Sequence, residues 1–239
     1  MKKYYKEDLA YIHDSGHAEF ALKSAPGILE ILERSRIPGG LVVDLGCGSG
    51  LWAEQLTRAC YQVLGIDISE AMIRIARTRA PAARFRIESL YKAKIPPCNA
   101  VTSISECLNY LFDSDNNTQA LAHLFGRIFS ALSPGGLFIF DIAEPGQDYA
   151  TRGFSEGEDW AVLVEKQEQR GRLIRRITSF RKIGKHYRRS DETHIQQLYK
   201  ATDVARELRR AGFRVRTMRS YGDYDLPKAH RAFIARKPA

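Results

Sequence analysis

Cysteine is scarce and scattered. Cys47, Cys60, Cys98 and Cys107 are the four present, and none forms a C-x-x-C pair or a metal-ligand spacing. A disulfide scaffold is therefore excluded, no metal is expected, and the thiols read as free in a reducing, cytoplasmic setting. Long apolar runs are also missing. Leu137-Phe-Ile-Phe140 is stopped by Asp141, whereas a membrane span needs about 20 apolar residues. Met1 to Asp8 carries charge with no apolar core behind it, so no secretory leader is expected. Repeats and low-complexity tracts are lacking. What is there is ordinary: 239 residues, 44% hydrophobic and 27% charged, which excludes collagen, coiled coil and wholesale disorder. The net charge of +9 permits an anionic partner without requiring one.

The order of elements comes from periodicity and punctuation. The first forty residues look helical and aromatic, with Tyr4, Tyr5, Tyr11, His13, His17 and Phe20 crowded together and Pro26 placed to open a second helix. From Leu41 short apolar strands alternate with helices: strands at 41–45, 62–67, 84–88, 100–105 and 137–142, and helices at 51–60, 70–79 and about 118–132. This succession argues a mostly parallel sheet with helices on both faces. Near residue 150 the rhythm changes. Three strand-like stretches, 160–166, 172–180 and 186–199, are punctuated by Gly171 and Gly184 and read as an antiparallel meander. A helix capped by Thr202 and ended by Gly212, then strands at 213–218 and 231–236, close the chain. The expected class is α/β, a doubly wound seven-stranded mostly parallel sheet with a small antiparallel β insert. The divisions are a helical lid over 1–40, a main domain over 41–150 and 200–239, and the insert over 151–199.

The sharpest signal is Val42-Val-Asp-Leu-Gly-Cys-Gly-Ser-Gly50. Glycines at 46, 48 and 50 follow a strand and precede a helix, so bare backbone can turn sharply and lie against a ligand. Asp44 puts a carboxylate at the strand end, suited to a cation or an ammonium group. Asp67 ends the next strand, 21 residues beyond Gly46, where a carboxylate can accept both hydroxyls of a ribose. A dinucleotide loop would need a third glycine where Leu51 stands. The pattern therefore describes a nucleoside site at the carboxyl edge of a parallel sheet.

Asp44 to Gly50 with Asp67 resembles the cofactor motif of the class I S-adenosylmethionine-dependent methyltransferases, which have a Rossmann-like fold. Glu106-Cys-Leu-Asn-Tyr-Leu111, Leu132-Ser-Pro-Gly-Gly136 with its following strand, and Phe233-Ile-Ala-Arg-Lys237 extend the likeness. It is nearest to bacterial small-molecule enzymes with an antiparallel insert after strand five. The resemblance implies S-adenosyl-L-methionine as cofactor and S-adenosyl-L-homocysteine as product. It implies that Gly46, Cys47, Gly48 and Gly50 cradle the methionine and ribose, that Asp67 binds the ribose hydroxyls, and that Ile68, Ser89 and Leu90 flank the adenine. Ser105 and Glu106 would line the floor near the methyl group; Glu106 could equally cap the following helix. Ser89 stands where many relatives carry Asp.

Methyl transfer from a sulfonium needs an acceptor held in line, and a base where the acceptor carries a proton. The candidates are His13 and Tyr11 on the N-terminal segment and Asn109 after strand four, next to the expected methyl position; each could instead serve packing, as could the neighbouring Tyr110. His194 reads as a sheet residue on the insert, which could wall the acceptor pocket. Ten Lys/Arg against one acid between Lys166 and Arg189 suit an anionic acceptor or a solvated sheet face. The expected acceptor is O or N of a small molecule, with nucleic acid disfavoured because Ser105-Glu-Cys-Leu replaces the Asn/Asp-Pro-Pro-aromatic run of nucleic-acid amino methyltransferases. Action on RNA, DNA or protein, and a non-turning-over binding protein, are the alternatives. A monomer or homodimer without a membrane partner is expected.

Overall fold

A computed structural model describes residues 4–112, 116, 118–147 and 150–239. Two helices, α1 (Glu7–Gly16) and α2 (Glu19–Arg34), precede the alternating β1 (Leu41–Leu45), α3 (Leu51–Arg58), β2 (Gln62–Asp67), α4 (Glu70–Arg79), β3 (Arg84–Ile87), β4 (Cys98–Ser103), α5 (Thr118–Ala131) and β5 (Leu132–Ala143). Four antiparallel strands follow: β6 (Ala150–Glu156), β7 (Trp160–Gln169), β8 (Arg172–Ile183) and β9 (His186–Gln197). Then come α6 (Ala201–Arg210), β10 (Arg214–Met218), the short pair β11 (Ser220–Tyr221) and β12 (Tyr224–Asp225), and β13 (His230–Arg236).

The main sheet runs β10-β13-β5-β4-β1-β2-β3. The five strands from β5 to β3 pair in parallel, and β13 alone runs against its neighbours. The order reverses between β1 and β4, the switch point at which open α/β sheets leave a crevice beyond their carboxyl ends. Two cores sandwich this sheet. Val43, Leu45, Phe138 and Phe140 pack with Leu124, Phe125 and Leu208 from α5 and α6. Val42, Ala100 and Ile139 pack with Ile28, Leu32, Trp52 and Leu56 from α2 and α3. Neighbours in one strand thus serve opposite layers, as a two-residue period demands.

Three local expectations are corrected. Pro26 lies inside α2 rather than at its start. The carbonyl it deprives belongs to Leu22, an exposed residue. The adjoining Gly27 has no Cβ to collide with the backbone of Tyr221 and Gly222, so helix and chain lie directly together. Thr202 does not cap α6, which begins one residue earlier; the Glu144 carboxylate accepts the Ala201 N–H at 3.0 Å instead. The insert has four strands, because 150–156 pairs with β7 despite its almost uniform exposure and lack of an apolar pattern. Ser69, just before the helix expected at 70–79, caps α4 by accepting the Met72 N–H.

The N-terminal helix joins the two sheets. Leu9 and Ile12 of α1 pack with Trp160, Val162 and Ile177 of the insert. Asp8 pairs with Arg188 and Arg181 of the insert, while Glu7 and Asp14 pair with Arg74 and Arg79 of α4. Arg175 pairs with Glu106, so three of the insert's arginines pair with residues outside it. None of the helices among the described residues is long and apolar enough to cross a membrane.

Candidate active site

One cavity of about 720 Å³ opens above the carboxyl ends of β1, β2 and β4, within the usual size of small-molecule sites. Its floor is the turn after β1. Gly46, Gly48 and Gly50 all have positive φ, at +77°, +52° and +80°. A Cβ at Gly46 would strike the Cys107 Sγ at 2.6 Å, whereas one at Gly48 would meet nothing within 4 Å. The first glycine is needed for packing and the second leaves bare backbone facing open space. Gly46, Cys47 and Gly48 line the cavity. Gly50 does not; it starts α3 and abuts Ala76, 3.0 Å from where its Cβ would be.

Asp67 closes β2 with its carboxylate fastened by backbone. Oδ2 accepts the Gly48 N–H at 2.9 Å and Oδ1 the Ser69 N–H at 2.8 Å. A carboxylate has about four acceptor positions, so acceptor capacity remains for a diol. Burial pushes its pKa up, and the backbone N–H groups oppose that. Ile68, Ser89 and Leu90 stand beside it on the cavity wall. Asp44 is buried with Oδ1 accepting the Thr102 hydroxyl at 2.8 Å, which in turn accepts the Trp52 indole N–H at 3.1 Å. Burial lifts the Asp44 carboxyl to about 7 even against that hydrogen bond. No positive side chain pairs with it among the described residues, so it suits a cationic group brought by a ligand.

The turn after β4 is held in strain. Ser105 and Glu106 have φ of +71° and +55°, the left-handed region unfavourable for side-chain-bearing residues. Asp141 at the end of β5 holds them there, accepting the Ser105 N–H at 3.0 Å and the Glu106 N–H at 2.7 Å. The turn delivers the Glu106 carboxylate between two basic groups: Arg175 Nη2 lies 2.6 Å from Oε1 and His230 Nε2 lies 3.1 Å from Oε2. Burial alone would raise the Glu106 carboxyl, but these two partners hold it down to about 2. Glu106 is thus an ion-paired wall of the cavity and does not cap a helix.

The three proposed catalytic positions separate. His13 borders the cavity, edge-on to Tyr5 at 5.3 Å between ring centroids. Burial pushes its pKa down to about 4, so it is neutral at pH 7 and a weak base. Tyr11 lies outside the cavity lining; its hydroxyl donates to Asp159 at 3.0 Å and Arg181 stacks on its ring. Asn109 is fully buried, donating to the carbonyls of Ala143 and Gln197 and accepting the Ala143 N–H. Every polar atom of Asn109 is spent on backbone, so it ties the β4 turn to the insert instead of facing an acceptor. These are corrections to the expectation for Tyr11 and Asn109.

Sequence reasoning missed Tyr5, Arg175 and His230, all on the cavity wall together with Tyr110, which was expected beside the methyl position. Tyr5 and Tyr110 approach hydroxyl to hydroxyl at 3.3 Å, and Arg175 Nη1 donates to Tyr110 at 3.0 Å. The only signal for Arg175 was the inward alternation of Leu173, Arg175 and Ile177 along β8.

Residues 17–218 match the family described as a methyltransferase domain. The chain belongs to that family. A Geobacillus sp. (strain WCH70) protein named as a methyltransferase is 27% identical over 192 residues, covering 73% of this chain and 74% of its own. The ubiquinone biosynthesis O-methyltransferase of Alkalilimnicola ehrlichii is 26% identical over 188 residues, covering 68% and 73%. Among solved structures, an S-adenosylmethionine-dependent methyltransferase from Clostridium acetobutylicum superposes with a TM-score of 0.81 at 21% identity, covering 96% of this chain and 98% of its own. The seven-stranded sheet with its separate antiparallel sheet is the fold the resemblance implied.

Proposed function

We propose that this methyltransferase-domain protein transfers a methyl group from S-adenosyl-L-methionine to a small-molecule acceptor. The observation that carries this reading is the single cavity of about 720 Å³ that joins the glycine turn and Asp67 at one end to an aromatic-walled chamber at the other. The residues fit the cofactor. Gly48 leaves room that a side chain would fill, Asp67 keeps acceptor positions for a ribose diol, and Asp44 is a buried carboxyl without a cationic partner among the described residues. When bound, the cofactor supplies an electrophilic methyl on sulfur.

The chain's own residues then divide the work. Gly46 to Gly48 and Asp67 hold the ribose and methionine part, and Ile68, Ser89 and Leu90 flank the adenine. Asp44 offsets positive charge, and Ser105 and Glu106 form the floor beside the reacting end. The segment 1–40 and the insert 151–199 enclose the acceptor. Exclusion of water and in-line orientation can supply roughly 7–11 kcal/mol of the rate enhancement. Relatives named for O-methylation of a small molecule support the acceptor class.

Incubation with methyl-tritiated cofactor and, separately, a small-metabolite pool, bulk tRNA, DNA and a protein extract tests this reading. Label is expected in the small-metabolite fraction. Label confined to a macromolecular fraction would overturn the acceptor class.

A further inference from the structure

We infer that His194 is the base for the acceptor, that Arg175 is its hydrogen-bonding partner on the acceptor oxygen, and that the acceptor is a hydroxyl on a flat ring. This rests on the methyl-transfer reading above and names its acceptor chemistry. His194 and Arg175 face each other across β9 and β8, and directly opposed residues of an antiparallel pair have side chains on the same face of the sheet. Both border the cavity. His194 is completely buried. Its Nε2 lies 3.0 Å from Glu192 Oε2; a carboxylate can only accept, so Nε2 carries the proton and Nδ1 is left as an acceptor. That Nδ1 is buried without a hydrogen-bond partner among the described residues, and so is the Arg175 Nε–H. An unmet acceptor and an unmet donor thus belong to directly opposed residues that both border the cavity, and buried polar groups of this kind ordinarily have partners.

A hydroxyl satisfies both and can still react. Its O–H donates to His194 Nδ1. One oxygen lone pair accepts the Arg175 Nε–H and the other attacks the methyl carbon. A carboxylate has no proton for His194. An ammonium has no lone pair for Arg175, and a neutral amine must use its single lone pair in the attack. In the step itself the O–CH₃ bond forms as the S–CH₃ bond breaks. The bonding pair leaves on sulfur as a neutral thioether, and the hydroxyl proton passes to His194 Nδ1. The imidazolium so formed faces the Glu192 carboxylate. The chamber wall favours a flat ring: Tyr110 and Phe112 stack at 4.5 Å, and Tyr5 and Phe112 each lie 4.8 Å from the His194 ring.

Glu192 is a positioning residue. Its carboxylate accepts the backbone N–H groups of Tyr5 at 2.8 Å and Lys6 at 2.9 Å as well as His194. The Tyr5 carbonyl in turn accepts the Ser69 hydroxyl at 2.9 Å, two residues from Asp67. The same contacts that orient the base therefore seat the N-terminal segment over the cofactor end.

The test is calorimetry on the full chain saturated with S-adenosyl-L-homocysteine, using catechol, 1,2-diaminobenzene and benzoate as probes on one ring, followed by methyl transfer to catechol. Catechol is expected to bind at least about tenfold more tightly than the other two and to yield the O-methyl ether. His194→Gln should remove most of that preference and lower transfer about 100-fold or more, with S-adenosyl-L-homocysteine affinity within about twofold of the parent, which also reports that the variant is folded. Arg175→Lys should raise the KM for catechol more than it lowers kcat. Glu192→Asp should recover part of the kcat lost in Glu192→Gln at unchanged KM. Equal or tighter binding of the diamine or benzoate, no binding of catechol, catechol bound without an O-methyl product, or a preference untouched by His194→Gln would overturn the proposal. Failure of the parent to bind S-adenosyl-L-homocysteine would be a different result, sinking the cofactor reading itself.

Discussion

The two ends of the cavity are built on different principles. The cofactor end is local: one strand, one turn and one helix supply Asp44 to Gly50, and the next strand supplies Asp67, whose carboxylate is fastened by backbone N–H groups at 2.8–2.9 Å. The acceptor end is assembled from afar. Tyr5, Glu106, Arg175, His194 and His230 come from five separate parts of the chain and meet through side-chain pairs. The first end depends on backbone conformation and tolerates little change of residue type. The second depends on paired charges and rings that another sequence could rearrange for another acceptor. The contrast explains how one fold serves many acceptors while its cofactor turn keeps one form.

That contrast can be broken by substitutions at each end. The largest effect is expected from Asp67→Ala. Losing two hydrogen bonds to a charged group, at ~1.5–3 kcal/mol each, should weaken S-adenosyl-L-methionine binding by roughly 10²–10⁴-fold in calorimetry while far-UV circular dichroism stays unchanged. Unaltered affinity would remove Asp67 from the ribose. Gly48→Val comes next. A β-branched residue at φ +52° is strained by ~1–3 kcal/mol and fills the open space, so binding should fall by at least about 100-fold; a variant that binds like the parent would misplace the loop.

Asp44 offers a pH test. Its free carboxyl sits at about 7, and a bound cation favours the ionised form. Below that pH, binding must displace a proton, so affinity should rise with pH by up to about tenfold per unit and level off above 7. Asp44→Asn should bind about tenfold more weakly at pH 8 and lose this dependence. A flat profile in the parent would separate Asp44 from the cofactor's charge. The smallest effect should come from Asp8→Asn at the acceptor end. Asp8 is buried but its partner Arg188 is half exposed, so the loss is ~1 kcal/mol or less after solvent screening. It should appear as a modest fall in Tm and a raised acceptor KM, with cofactor affinity nearly unchanged. An equal fall in cofactor affinity would mean the two ends are not separable.

Legibility followed the same divide. The alternation of strands and helices, the glycine turn and Asp67 were readable because each is set by neighbours in sequence. Pro26 misled because α2 runs through it from Glu19, the lost hydrogen bond falling on the exposed turn at Leu22, and nothing local says that the helix starts before the proline. Asn109 looked acceptor-facing because it follows β4, yet its amide is bound to the carbonyls of Ala143 and Gln197, which no local pattern reveals. Arg175 shares the inward face of β8 with Leu173 and Ile177, but nothing along the strand says that Glu106 waits there as its partner. His194 was legible as a sheet residue and nothing more; its pairing with Glu192 needs only the two-residue period, but its burial under Tyr5 needs the fold.

The central claim is that bare backbone at Gly46 to Gly48 and the carboxylates of Asp44 and Asp67 hold an adenosyl sulfonium. Titration calorimetry of the parent protein with S-adenosyl-L-methionine at pH 8 tests it most directly. One site per chain with saturable heat is predicted; a titration with no heat of association, matched by no thermal shift at saturating ligand, would contradict it.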